Sequence, residues 1–275
     1  SHNNPESLFS LQWMPFSNPW GVNNSFQAYM AFEPKLTEVG SGWGAAQGVS
    51  ADVVKYFMAH PGDSIRRKAI CMFDGDYYPN LEKSDGGLHY TVTNIANIKK
   101  YVIGSPADNG GNGGFMTAYI NTYMMRLAEV YLIYSEAILG NNASTSDPEA
   151  LKYFNLVRER AGMPDKTALT FDDIFQEKRV EFLLEGNAWY DILRWYYFAP
   201  EKAKAYVAAQ DKGSYTIEYV PGSYSPRKYN ATYTSAYYPF TDQTVYLPFP
   251  EAELINAPSL AASPIPFDFS KLPDY

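Results

Sequence analysis

Apolar residues recur at three- and four-residue spacing along one long segment of the chain, from Tyr123 to Trp195. This spacing places them on one face of an α-helix. Stop signals at Gly140 and Gly162 divide the segment, so we predict three helices in succession. The first is predicted over 123–139, and the residues on its core face are Leu127, Val130, Tyr131, Tyr134, Ala137 and Ile138.

Capping residues mark where the other two helices begin. Asp147 is a predicted N-cap, and Pro148 follows at the first helical position, where no amide hydrogen is needed. Thr170 is the predicted N-cap of the third helix. Asp173, three residues on, favours the positive end of that helix.

Charged residues stand among large apolar ones in the third helix and just beyond it. Charges that become buried are normally paired. A pairing network that fixes helix packing explains this pattern more simply than a binding site does, so we predict a structural role. The charged residues concerned are Glu177, Arg179, Glu181, Glu185, Asp191 and Arg194.

Turn-forming residues dominate the chain before these helices. Alternating apolar residues predict a short strand over 8–13, and an irregular region follows over 14–48. The aromatic content of that region favours an ordered loop. A helix is predicted over 50–59 and a strand around 69–73.

A tyrosine- and proline-rich tail follows one more predicted helix over 200–210. We predict that the tyrosines of 215–238 lie in a hairpin or loop packed back on the helices. The proline-rich end from Leu247 cannot be helical for long, and we expect it to lie extended over the surface.

Composition and charge exclude several classes of function. The chain has 275 residues, 46% of them hydrophobic, enough for one large domain or two intimate ones. Its net charge of -8, with no basic stripe, argues against nucleic acid or an anionic membrane as the main partner. No apolar run is long enough to span a bilayer. The single cysteine, Cys71, lies in an apolar run and is predicted to be an inert core thiol.

Motifs for catalysis and metal binding are missing from the sequence. The three histidines stand far apart, and neither a Gly-x-Ser-x-Gly elbow nor a phosphate loop is present. We therefore predict no catalytic residue, no metal site and no cofactor. A glycosidase needs two carboxylates at a set separation, and the formal candidates in one turn-rich stretch are Asp74, Asp76, Glu82 and Asp85.

Aromatic residues in turn-rich segments favour a sugar-binding site. The apolar face of a sugar ring stacks on Trp or Tyr, while its hydroxyl groups bond to small polar side chains. Because 16% of all residues are aromatic, a core position is the alternative for each ring. The candidate ligand-binding residues are Trp20, Trp43, Asp76, Tyr77, Tyr78 and Asn80.

Five sequence blocks together resemble the C-terminal half of the SusD/RagB family, which are surface nutrient-binding lipoproteins of Bacteroidetes. Three lie in the helical segment, at 125–137, 155–162 and 177–195. The Asp-x-x-Arg element at 63–67 extends the resemblance, and so does the segment 247–256, which is similar to the family's closing Pro-x-x-Glu-x-x-x-Asn segment. Together the blocks cover nearly the whole chain. One departure is Ala188, where the family commonly has arginine two residues after the Glu-Gly pair.

The resemblance implies a mainly α fold, with one tetratricopeptide-like helix pair at 123–161, further helices, long irregular loops and few short strands. Family members carry several such pairs after a lipidated cysteine. We therefore expect this chain to be the C-terminal part of a longer protein or an unusually short relative. We expect one domain, with a loop-rich candidate ligand-binding part at 1–122, a helical core at 123–210 and a tail at 211–275.

The function implied by the resemblance is non-catalytic binding of an oligo- or polysaccharide at the cell surface. The partner implied is a SusC-like TonB-dependent transporter, with attachment to the outer membrane through a lipid anchor outside this chain. The resemblance favours Trp43, Tyr77 and Tyr78 as ligand contacts, because sites of this family draw aromatic residues from the region just before the helices. Two alternatives stay open: a peptide-capture or scaffold module built on the helix pair, and a carbohydrate-active enzyme.

Overall fold

The computed structural model of the protein describes residues 4–14, 24–40, 42, 48–109, 111, 114–118, 120–246 and 248–262. Trp20 and Trp43 lie outside the described residues. Within them the fold is mainly α-helical, as predicted. The helices are α1 (Phe26–Met30), α2 (Ala51–Ala59), α3 (Ser64–Ile70), α4 (Leu127–Leu139), α5 (Pro148–Arg160), α6 (Phe171–Glu181), α7 (Ala188–Phe198), α8 (Pro200–Ala208) and α9 (Glu251–Asn256).

Short antiparallel strand pairs accompany the helices. Each pair forms its own two-stranded sheet. The pairs are β1 (Ser7–Leu11) with β4 (Thr122–Arg126), β2 (Tyr77–Tyr78) with β3 (Leu88–His89), and β5 (Ser214–Tyr219) with β6 (Tyr229–Thr234).

The predicted helix caps are confirmed. The Asp147 side chain accepts hydrogen bonds from the backbone N–H groups of Glu149 and Ala150, and Pro148 begins α5. Thr170 and Asp173 form a complete capping box at the start of α6, each side chain bonding the backbone of the other. Local sequence therefore fixes where these two helices begin.

The predicted start of the first helix at Tyr123 is wrong. Residues 122–126 form β4, where Tyr123 pairs with Ser10, and α4 begins at Leu127. The Leu127 N–H donates to the carbonyl of Glu6 at 2.8 Å, which ties the start of the helix to the chain before β1. Helical spacing of apolar residues does not reveal a distant strand partner, and this pairing decided the conformation.

The predicted strand around 69–73 is also wrong, because α3 extends to Ile70 and residues 72–73 belong to no strand. Only Cys71 makes an isolated bridge, with Ile98. The helix is supported at its start by Asp63, whose carboxylate accepts two hydrogen bonds from Arg66 at 2.7 and 2.6 Å. Cys71 is fully buried, and burial raises the pKa of its thiol to about 12, as expected of an inert core thiol.

The end of the chain is less extended than predicted. A six-residue helix, α9, follows Pro250, and its residues are mostly exposed. Within residues 248–262 no helix is longer than these six residues, in agreement with the expectation that this end is not helical for long. Leu247 lies outside the described residues.

The predicted helix pair packs as a hairpin around its own core. Leu132 and Leu139 of α4 meet Phe154 of α5, and all three side chains are essentially inaccessible to solvent. Ile174 of α6 and Phe182 belong to the same buried core. The pair and α6 therefore form one packed body.

A network of buried ion pairs joins α6 to α3, α5 and β4, which confirms the structural role predicted for these charges. Glu177 accepts hydrogen bonds from Arg66 at 2.5 Å and from Arg158 at 2.8 Å. Arg126, at the end of β4, donates to Glu181 at 2.8 Å and to Glu185 at 2.9 Å. Because each carboxylate bonds a cation from another element, the network fixes how these elements pack.

The remaining charges of this stretch are paired as well. Arg179 pairs with Asp52 of α2. Asp191 pairs with Lys178 and also accepts from Arg194 at 3.4 Å, the contact that their spacing predicted. The pKa of the Glu185 carboxyl lies below its usual value: burial alone would raise it, but hydrogen bonds from Arg126 and Lys100 outweigh burial.

The β5–β6 hairpin is anchored to α2 through Asp211, which confirms the predicted hairpin packed on the helices. The Asp211 carboxylate accepts hydrogen bonds from Lys55 at 2.5 Å and from Ser235 at 2.7 Å. It also accepts from the backbone N–H groups of Gly213 and Ala236, at 2.8 and 3.0 Å. These four bonds fix both ends of the hairpin.

Asp211 is expected to make stability depend on pH. Hydrogen bonds from Lys55 and then Ser235 hold the pKa of its carboxyl well below the usual value. The stability it contributes is therefore fully present above the unfolded pKa, about 3.9, and is lost as the pH falls below it. Urea unfolding at about pH 6 and about pH 3 should show a smaller loss of stability in Asp211→Asn than in the wild type. Equal losses in the two proteins would contradict this role.

Candidate functional site

The turn between α3 and β3 carries four of the predicted ligand-binding residues. It is framed by β2 and β3, where Tyr77 pairs with His89 and Tyr78 with Leu88. Neighbouring strand residues point to opposite faces. Accordingly, 37% of Tyr77 is exposed but only 5% of Tyr78.

The Tyr77 ring is held in place on the surface. It lies against the ring of His89, with 4.6 Å between centroids, and its hydroxyl donates to the Gly86 carbonyl at 2.9 Å. Gly87 has a φ of +104°, which most side chains disfavour, and a Cβ there would lie 2.8 Å from the Tyr77 ring. The glycine thus lets the ring lie flat against the hairpin, so this aromatic face is formed before any ligand arrives.

The neighbouring Gly86 has a φ of +89°, beside the +104° of Gly87. Both values lie in the left-handed region that favours glycine. The tight approach of the hairpin to the Tyr77 ring depends on the missing Cβ at Gly87.

Asp76 and Tyr78 lie beneath this surface. The Asp76 carboxylate forms an ion pair with Arg67 and accepts hydrogen bonds from the Phe73 N–H at 2.9 Å and the Tyr78 hydroxyl at 3.2 Å. Only 1% of Asp76 is exposed. Both side chains face inward and support the turn from beneath.

Asn80 is exposed at the end of the same turn. The structure therefore places Tyr77 and Asn80 at the surface, on one rigid turn. The ligand contacts predicted for Trp20 and Trp43 fall outside the described residues and stay predictions.

Sequence reasoning missed a cleft on the other side of this turn. It measures roughly 1160 Å³ and lies between the α2–α3 segment and the loop joining β5 to β6. Its floor includes Arg67 and Asp76, and exposed Tyr224 stands at its mouth. The two walls are far apart in the sequence, and the only local signal was Arg227-Lys228 in a loop rich in proline and glycine.

Besides Asp76, two of the carboxylates considered for catalysis have other partners in the structure. Asp74 accepts a hydrogen bond from the Tyr219 N–H at 2.8 Å, and Glu82 pairs with Lys35 at 3.3 Å. In the part of the chain that the structure describes, no group of three or more His, Cys, Asp or Glu side chains could hold a metal ion. No helix among the described residues has the length and apolar character needed to cross a bilayer.

Comparison with known proteins shows the family. Residues 72–264 match the family model described as SusD family. A SusD-like protein of Bacteroides ovatus is 40% identical over 214 residues, which cover 78% of this chain and 38% of that protein. The chain belongs to the SusD family, as its sequence blocks predicted.

Solved structures agree with this membership. A crystal structure determined with xylogluco-oligosaccharide is 33% identical, with a TM-score of 0.79 over 97% of this chain and 56% of that one. Surface glycan-binding protein A from Bacteroides thetaiotaomicron, solved in complex with laminarihexaose, shares the fold at 19% identity and a TM-score of 0.57. That match covers 93% of this chain and 51% of the other. The chain thus spans little more than half of these solved proteins, and 38% of the Bacteroides ovatus relative.

Proposed function

We propose that this protein binds a glycan at the cell surface without cleaving it. The observation that carries the proposal is the 33% identical structure, similar over 97% of this chain, that was solved with xylogluco-oligosaccharide. A xyloglucan fragment is therefore the first ligand to test. The fixed, exposed ring of Tyr77 supports the proposal, because stacking on an aromatic face is a main source of affinity for sugars.

The proposed site combines Tyr77 and Asn80 with Trp20 and Trp43. The aromatic rings stack against sugar rings, and the Asn80 amide bonds sugar hydroxyl groups. A ring already held in place loses little conformational entropy on binding, which favours affinity. Binding requires no metal and no cofactor in this proposal.

We further propose that the bound glycan passes to a SusC-like TonB-dependent transporter in the outer membrane. Family membership supports this partner and the location at the outer surface of the cell. Co-purification of the protein with a SusC-like transporter of the same organism would test the pairing. Its absence under mild detergent extraction would count against it.

The binding site is tested by substitution of the proposed stacking residues. We expect Trp43→Ala and Tyr77→Ala each to weaken binding of a xylogluco-oligosaccharide at least tenfold, about 1.4 kcal/mol. Affinity electrophoresis and isothermal titration calorimetry measure the loss. Matched controls are Trp189→Ala and Tyr238→Ala, which remove exposed rings elsewhere and should leave binding unchanged.

The same samples decide between binding and catalysis. Reducing sugar released by the wild-type protein would contradict a non-catalytic role. If neither xyloglucan nor laminarin nor other soluble polysaccharides retard the protein, the glycan proposal fails, and peptide capture becomes the next function to examine. Equal losses in the control variants would show that the site lies elsewhere.

A further inference from the structure

The cleft behind the Tyr77 turn has features of a second binding site. One wall is the segment from Met58 to Ala69, and the other is the loop from Tyr224 to Tyr229. Its volume of roughly 1160 Å³ is above the range of about 300–1,000 Å³ typical of small-molecule pockets. A cleft of this size suits several units of a chain-like ligand. We call it the hairpin cleft.

The carboxylates on the floor of the hairpin cleft form ion pairs with arginines. Asp63 and Asp76 are the carboxylates among its described lining residues, and both are buried. Asp63 is paired with Arg66, and Asp76 with Arg67. The negative charges of the lining are therefore already neutralised inside the protein.

The accessible charges of the hairpin cleft are positive. Lys68 and Lys228 are exposed, and the side chain of Arg227 is 33% exposed. Arg227 is oriented by a hydrogen bond to the Gly75 carbonyl at 2.5 Å, which uses one of the five N–H donors of its guanidinium group, and by an ion pair with buried Asp76 at 3.6 Å. In a chain with a net charge of -8, this local positive rim favours an anionic group on the ligand.

Apolar surface at the mouth completes the site. Tyr224 is 80% exposed on one wall, and Ile65 is 58% exposed on the other. An exposed tyrosine ring offers a stacking face for a sugar, while lysine and arginine bind carboxylates. The hairpin cleft thus carries both kinds of group that a charged sugar needs.

We propose that the hairpin cleft binds uronic acid units of an acidic glycan, with the carboxylate held by Arg227 and Lys68 and a sugar ring stacked on Tyr224. This inference rests on the proposed glycan-binding function. It adds a second site, separate from the Tyr77 surface, and a preference for acidic sugars. Lys228 contributes to the same positive rim.

Calorimetry with trigalacturonic acid and neutral galactotriose tests the proposal. We expect the acidic trisaccharide to bind at least tenfold more tightly, and to bind more weakly when NaCl is raised from about 50 to about 500 mM. The variant Lys68→Gln/Arg227→Gln should lose at least tenfold in affinity for it. Lys152→Gln, which removes an exposed charge on α5, is the matched control and should bind like the wild type.

The Tyr224→Ala variant tests the stacking contact, with Tyr190→Ala as a control of similar exposure. Thermal unfolding checks that each variant is folded. If Arg227→Gln disturbs the hairpin, Lys68→Gln and Lys228→Gln alone should still weaken trigalacturonate binding severalfold.

Several results would overturn the inference: no binding of trigalacturonate, equal binding of the neutral trisaccharide, or an unchanged affinity in the double variant. Competition by tetra-aspartate at equal concentration would assign the cleft to acidic peptides instead. The proposed function fails separately, because xylogluco-oligosaccharide binding should depend on Trp43 and be unchanged in Lys68→Gln/Arg227→Gln.

Discussion

Replacing Asp76 by alanine is expected to lower the free energy of unfolding by about 3–5 kcal/mol. The substitution leaves the buried Arg67 guanidinium without its carboxylate. It also removes the acceptor for the Phe73 N–H and one acceptor for the Tyr78 hydroxyl. Domains of this kind have a total stability of about 5–15 kcal/mol, so the loss should be visible as a large shift of the urea midpoint.

Asn80→Ala is the matched control for this prediction, since Asn80 lies exposed on the same turn. We expect its stability to change by less than about 0.5 kcal/mol. A loss of glycan affinity in Asn80→Ala with unchanged stability would place Asn80 in the ligand site. If Asp76→Ala kept full stability but lost glycan binding, Asp76 would be a ligand contact, and our assignment of a supporting role would be wrong.

Glu177→Ala is expected to have an effect of similar size, about 3–5 kcal/mol, for a different part of the fold. Glu177 is 4% exposed and accepts hydrogen bonds from Arg66 of α3 and Arg158 of α5. Its loss removes the carboxylate that these two buried arginines share, and breaking a buried ion pair costs more than the pair contributed. Urea unfolding followed by circular dichroism measures the change.

A surface carboxylate on a neighbouring helix provides the control for Glu177. Glu149 of α5 pairs with Lys152 at 3.3 Å, and both side chains are more than half exposed. Glu149→Ala should cost less than about 1 kcal/mol, because exposed ion pairs are screened by water and salt. Equal effects of the two substitutions would contradict a structural role for the buried network.

The sequence predicted the helical part of the fold well because its signals are local. The caps at Asp147 and Thr170 and the apolar faces of α4 and α5 depend on residues within one or two helical turns. The sequence blocks that resemble the SusD family could be recognised for the same reason. The prediction failed at 123–126 because these residues pair with distant β1. It failed at 69–73 because α3, which has an ion pair at its start, extends to Ile70.

The candidate site divides in the same way. Sequence identified the turn that carries Tyr77 and Asn80, because adjacent aromatic and polar residues between turn formers are a local pattern. It could not separate Tyr77 from Tyr78, since strand alternation sends one ring outward and the other into the core. Nor could the sequence show that Asp76 is buried in an ion pair with Arg67.

By itself, the sequence determined the family, the mainly helical fold, the structural role of the charges in α6 and the stretch that carries the candidate surface. Only the tertiary structure decided which partner each buried charge takes and which aromatic rings reach solvent. It alone formed the hairpin cleft, whose walls come from residues 58–69 and 224–229. The physical reason is that ion pairing, burial and clefts depend on distances between residues far apart in the chain, and periodicity and capping report only on near neighbours.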